Sequence, residues 1–195
     1  HIRGLAEVLD VASQARFACS AALRSKEFFS VVAIFRKLTD VEHTSGVKEF
    51  AKILDVLKSR QGETVGSPTH WVSEGQILVN TAIAGRRVFV QALSPAAHTI
   101  TDSLSRIGGL IPEVASHANP LSDLSPNHLS VVLLVVVDDE AFLLGGDLQS
   151  GRGESRGWEA VIQSDVRFET TSSGYKVAHH GSHNGDHPDI WIKLL

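Results

Sequence analysis

Four of the chain's ten histidines fall within nine positions of one stretch, KVAHHGSHNGDHPDIW over 176–191, at His179, His180, His183 and His187. Imidazole nitrogen binds borderline cations such as Zn²⁺, and it also exchanges protons near neutral pH, so such a cluster raises metal and acid–base chemistry together. A carboxylate stands upstream: Asp147 follows Gly145-Gly146 at the end of the apolar run EAFLLGGD. Glycines let a carboxylate project from a strand end without bulky neighbours. His179 and His180 end the next strand-like run, GYKVAHH. Two sheet strands ending in Asp and His-His would bring these donors to one rim. That donor set suits Zn²⁺, which needs about three protein ligands plus an open position for catalysis.

Each of these residues also has a plainer reading. An aspartate after Gly-Gly is most often a turn or cap residue, because its side chain bonds its own backbone locally. His183 and His187 lie in a Gly/Asn/Asp loop, where solvated histidines are expected. Asp138-Asp139 invites a paired acid and base, but it sits between two strands and reads better as a hairpin turn. The run GRGESRG over 151–157 matches neither the dinucleotide fingerprint nor the P-loop. Cys19 has no local signature of a reactive thiol.

The elements that must position these groups alternate between helix and strand. IRGLAEVLD over 2–10 is helical by spacing, ARFACS over 15–20 reads as a short strand, and residues 22–37 return to helical periodicity. Thr44-Ser45-Gly46 opens an amphipathic helix whose Val47, Phe50, Ile53, Leu54 and Leu57 form one stripe. The segments HWVSE, QILVN and RVFVQAL then read as strands, and 94–127 as a long excursion with a weak helix around Thr99 to Ile107. LSVVLLVVV, Asp138-Asp139 and EAFLLGGD form a hairpin, and a helix near Trp158 precedes the strand GYKVAHH. The expected class is α/β.

Composition bounds the function classes. The chain has 195 residues, of which 43% are hydrophobic and 21% charged, as in a globular domain. One domain over 1–195 is expected. A formal net charge of −4 supplies no global basic field for nucleic acid, though a local groove is not excluded. A single cysteine excludes an internal disulfide framework and a thiolate zinc cage. No apolar run is long enough for a membrane helix and no secretory signal opens the chain, which points to the cytoplasm. The absence of Met, the initial His1 and the abrupt end at WIKLL read as a fragment of a longer product.

The block NHLSVVLLVVVDDEAFLLGGD, followed about thirty residues later by YKVAHHGS, resembles the end of a metallo-β-lactamase fold domain. It is most similar to the branch found in the DNA-uptake channel proteins of competent bacteria and their free-standing relatives. The matching residues are Asn127, Ser130, Gly146-Asp147 and His179-His180-Gly181-Ser182. Ala92-Leu93-Ser94-Pro95 resembles that branch's strand ending before its variable loop. Such domains carry an early His-x-His-x-Asp-His motif followed by Ile-Gly-Gly-Leu, and this chain opens His1-Ile2-Arg3-Gly4-Leu5, so His1 would be the last residue of that motif. The resemblance covers most of the chain, although 22–60 contains no diagnostic residue.

The resemblance implies an αββα sandwich, incomplete here, with a metal site along one edge of its two sheets. It implies a zinc-dependent hydrolase acting on a phosphodiester, which includes nucleic acid, in a full-length parent with one or two Zn²⁺. Asp147 would bridge or anchor metal, and His180 or His179 would complete a site or contact a phosphate oxygen. His1, Asp147, His179 and His180 are thus the implied metal residues, and Asp147 and His180 the catalytic ones. The first two histidines and the aspartate of the early motif are absent, so this chain is expected to bind zinc weakly and to be inactive alone. Many members also place a histidine shortly before the hairpin serine, where this chain has Pro126 and Asn127, with His128 displaced. The competing expectation is a degenerate, non-catalytic binding or interaction module.

Overall fold

The computed structural model describes residues 3–37, 45–61, 70–105, 126–151 and 156–195. The class is α/β, with two sheets and α-helices, and the chain divides into two compact units.

The first unit takes residues 1–19, 23–71 and 105–122. Its described helices are α1 (Leu5–Val11), α2 (Lys26–Lys37) and α3 (Ser45–Gln61). The stripe expected on α3 is its buried face: Ile53 and Leu57 pack with Ala6 and Leu9 of α1, while Phe50 and Leu54 pack with Val32 of α2. Phe28 meets Phe50 edge-on, with ring centroids 5.3 Å apart. Glu49 is buried, and its carboxylate accepts the Ala6 N–H at 2.9 Å, supplying a partner to an otherwise orphaned donor in the first turn of α1. Ser25 does the same for α2 by accepting the Phe28 N–H at 2.9 Å. The strands β1 (Ala18–Ser20) and β2 (His70–Val72) form a two-stranded sheet.

The second unit takes residues 20–22, 72–104 and 123–195 and holds a five-stranded sheet in the order β3-β4-β5-β6-β7. These strands are β3 (Ile77–Ile83), β4 (Arg86–Ala92), β5 (Leu133–Val137), β6 (Glu140–Leu144) and β7 (Gly174–Lys176). The first four form antiparallel neighbours and β7 pairs parallel to β6. Asp138 and Asp139 are the β5–β6 hairpin turn: Asp138 has φ 54° and its carboxylate accepts the Arg87 N–H at 2.8 Å. A helix over 97–105, α4, covers the described part of the expected weak helix. Residues 106–125 of the expected long excursion lie outside the described residues.

Period-two alternation divides the sheet's residues between two faces. Leu134, Val136, Ala141 and Leu143 pack against Trp158, Val161 and Ile162 of α5 (Trp158–Gln163) and Ile190 of α6 (Pro188–Lys193). Register puts Val88, Val90, Leu133, Val135, Val137, Phe142 and Leu144 on the opposite face, together with Glu140 and Lys176. This second face is thus apolar at its centre, with side chains that are half-buried or exposed.

Candidate metal and substrate site

The site is assembled where β6 and β7 end. Gly145 donates its N–H to the Lys176 carbonyl at 3.0 Å, and a Cβ on Gly145 would stand 2.9–3.0 Å from atoms of Ala178. Glycine is therefore what lets the two chains close together here. Gly146 has φ 56°, and a Cβ there would lie 2.7 Å from both the Ser130 hydroxyl and the Val131 carbonyl oxygen. The next residue is thereby turned over the start of β5. The Asp147 N–H donates to Ser130 Oγ at 2.9 Å. Ser94 Oγ braces the same segment, accepting the Val132 N–H at 2.8 Å and donating to the Ser130 carbonyl at 2.5 Å.

The strand GYKVAHH is shorter than its sequence suggests. β7 stops at Lys176, and His179 and His180 stand beyond it in a tight turn with φ 47° and 56°, followed by Gly181 at 75°. The His179 N–H reaches back to the Gly146 carbonyl at 3.0 Å, and the Ser182 N–H closes the turn on the His179 carbonyl at 3.0 Å. Left-handed backbone costs an L-residue on the order of 1–2 kcal/mol, so two histidines in succession are held there by their surroundings. The consequence is that the two imidazoles diverge, with centroids 6.3 Å apart.

His180 Nε2 lies 3.6 Å from Asp147 Oδ1, with side chains 63% and 31% exposed respectively. The residues expected to share a rim do so although they are 33 positions apart in sequence. His179 is held differently. Its Nε2 faces the Asn127 amide nitrogen at 3.2 Å, and its Nδ1 lies 2.7 Å from Ser182 Oγ and 2.9 Å from Asn184 Oδ1. Gln149 Nε2 approaches the same ring at 3.2 Å from Nδ1 and 3.5 Å from Nε2. A short Ser182–Asn184 hydrogen bond completes the ring of partners. Asn127, Ser130, Asp147, His179, His180 and Ser182 are thus joined in one network.

The remaining candidates are distributed as follows. His1 lies outside the described residues, so it is not part of this geometry. His183 is exposed, as expected of a solvated loop residue. His187 is half-buried and bonded rather than free in a loop: its Nδ1 accepts the Asp189 N–H at 3.2 Å as the N-cap of α6, and its Nε2 lies 3.6 Å from Glu159. His98 is exposed on α4. His128 is half-buried in the turn before β5, and burial holds its pKa below the usual imidazole value, assisted by Arg156 and opposed by Glu159. Among the described residues, no group of three or more His, Cys, Asp or Glu side chains is arranged to hold a metal ion. No helix among them is long and apolar enough to cross a membrane.

Sequence reasoning missed Gln149 and Asn184. Both are short-range followers of residues it had singled out, Asp147 and Ser182, and only the folded network gives them a role. No family model, curated protein or solved structure matches this chain.

Proposed function

We propose that this chain is part of a metal-dependent hydrolase of the metallo-β-lactamase type, acting on a phosphodiester such as nucleic acid. The observation that carries the proposal is the pairing of Asp147 with His180. Their separation of 3.6 Å is longer than a hydrogen bond, yet close to the spacing of about 3.3 Å between two ligand atoms held near 2.0–2.2 Å from one tetrahedral Zn²⁺. The donors therefore fit zinc as a carboxylate and an imidazole pair, with His1 as the further ligand that the resemblance implies. When bound, zinc would lower the pKa of a water molecule and polarise the scissile group.

The chain's own residues divide the work. Asp147 supplies negative charge to offset the dication, and Ser130 holds its backbone. Of the two adjacent histidines, His180 is taken as the ligand because its Nε2 faces Asp147 Oδ1, and His179 as the support through its contacts with Asn127, Ser182 and Asn184. The apolar face carrying Val90, Val135 and Phe142, opposite the helices, supports the finer architecture too: it has the composition of a sheet packed against a second layer, as in an αββα sandwich.

The test is zinc titration by calorimetry with the 195-residue chain and with a parent protein carrying an in-frame His-x-His-x-Asp before His1. Binding should be weak in the chain and strengthened in the parent, where phosphodiester hydrolysis accompanies it. Asp147→Asn and His180→Ala should each lower zinc occupancy and turnover together in the parent. Unchanged zinc content in both variants would return Asp147 to a turn residue and remove the hydrolase reading.

A further inference from the structure

We infer that the outer edge of β3 docks a second copy of this chain, the two strands pairing antiparallel over 79–83 about Thr81. The inference is independent of the hydrolase reading. Among the described residues the five-stranded sheet has two edges, β3 and β7, and they differ. β7 is three residues long and carries Lys176, and brevity and charge both blunt an edge against further pairing. β3 is seven residues long, and the run QILVNTAIAG from Gln76 to Gly85 has neither charge nor proline. Its irregularity lies between Ile77 and Val79, which leaves 79–83 in regular register with β4.

Register decides which backbone groups that edge offers. Ala84 and Gly85 have φ 51° and 79°, the two positive values of a two-residue hairpin turn, so Ile83 and Arg86 form the hydrogen-bonded pair that closes it. Bonded pairs alternate along an antiparallel ladder, so Thr81 and Val79 also turn their backbone groups toward β4, whereas Asn80 and Ala82 turn theirs outward. A two-fold axis at Thr81 pairs them: Asn80 bonds the partner's Ala82, and Ala82 the partner's Asn80. Thr81 then stands opposite the partner's Thr81, and Val79 opposite the partner's Ile83, on the face shared with Val88 and Val90. Ile83 is 57% exposed in the single chain, so this pairing covers apolar surface as well as backbone.

Charge sets the direction. Glu74 precedes the strand and Arg86 follows it, so antiparallel pairing brings the Arg86 end of each copy to the Glu74 end of the other, while parallel pairing would bring like charges together. The Arg86 side chain is 71% exposed and its Nε stands 3.8 Å from Asp138, longer than a hydrogen bond, which leaves it free to turn to a partner. The edge is its own complement in backbone, apolar side chains and charge, which favours a second copy over a foreign strand.

Sedimentation velocity of the 195-residue chain over a concentration series reads the association, which should stop at the dimer because the two-fold pairing uses both β3 edges. Thr81→Lys, at an exposed position, should weaken it by about tenfold or more by setting like charges opposite each other. Ala82→Pro should do the same by removing an N–H that faces away from β4. Cysteine variants in a Cys19→Ala background test the register. Thr81→Cys should give a disulfide-linked dimer on mild oxidation, since directly opposed Cα atoms in a non-hydrogen-bonded pair lie about 4.5 Å apart. Two copies of Asn80→Cys would meet only on a diagonal of about 7–8 Å and should link far more slowly. A monomer at every concentration, as when the edge serves a strand of another protein, overturns the inference. So does growth past the dimer, association unchanged in both Thr81→Lys and Ala82→Pro, or equal cross-linking of the two cysteine variants.

Discussion

Gly146→Ala isolates the close approach that sets Asp147 in place. Two terms oppose the substitution. The first is conformational: φ is 56°, where alanine costs on the order of 1–2 kcal/mol relative to glycine. The second is steric: the new methyl would stand 2.7 Å from the Ser130 hydroxyl and the Val131 carbonyl oxygen, and the latter is backbone that cannot rotate away. Overpacking of this kind costs about 1–3 kcal/mol, giving a total of about 2–5 kcal/mol.

Gly181→Ala supplies the control. Its φ is 75°, so it has the same conformational cost, but its Cβ would meet nothing within 4 Å. Only the first term applies, about 1–2 kcal/mol. Urea denaturation of both variants, with unchanged slope to certify comparable unfolding, should therefore separate them by about 1–3 kcal/mol. A Gly146→Ala variant no less stable than Gly181→Ala would refute the claim that close packing against Ser130 and Val131 positions Asp147.

Other substitutions test the remaining assignments. His187→Ala removes the N-cap of α6 and should cost about 0.5–2 kcal/mol in urea denaturation, whereas exposed His183→Ala should stay within about 0.5 kcal/mol. Cys19, whose thiol burial pushes up to about 12, should resist iodoacetamide at pH 8 in the folded chain and react when urea unfolds it. His128 has a folded pKa below its ordinary 6.5, so between the two values the unfolded state binds more protons. Its contribution is therefore complete above pH 6.5 and is lost as pH falls below that value; His128→Gln should make stability less pH-dependent there, as read by urea midpoints across that range.

Periodicity made the elements legible where one face of each is buried. The α3 stripe of Phe50, Ile53, Leu54 and Leu57 appears in sequence because those side chains meet α1 and α2, and the β5–β6 hairpin appears because apolar runs flank a two-aspartate turn. β7 was over-extended for a physical reason. Val177 and Ala178 continue an apolar strand pattern, but Ala178 is buried against Gly145 and the chain then turns left-handed, a choice dictated by tertiary contacts rather than local propensity.

The site shows the same division at finer scale. The sequence offered Asp147 and His180 as metal-capable through residue type and the family resemblance together, and the two meet although His180 stands in a turn beyond β7 rather than at the strand end expected of it. Residue type could not distinguish His180 from His179, because adjacent histidines carry the same chemistry until the backbone points them apart. The difference resides in Asn127, Gln149, Ser182 and Asn184, which meet His179 only after β5, β6 and β7 are aligned. Loop polarity misled at His187 for a related reason. A histidine beside Asp and Pro has the composition of a solvated turn, while its ring nitrogen is the acceptor that the first turn of α6 requires. Assigning the imidazoles therefore depends on finding the donor or acceptor each one answers: a carboxylate across the rim for His180, side-chain amides and a hydroxyl for His179, and a helix N–H for His187.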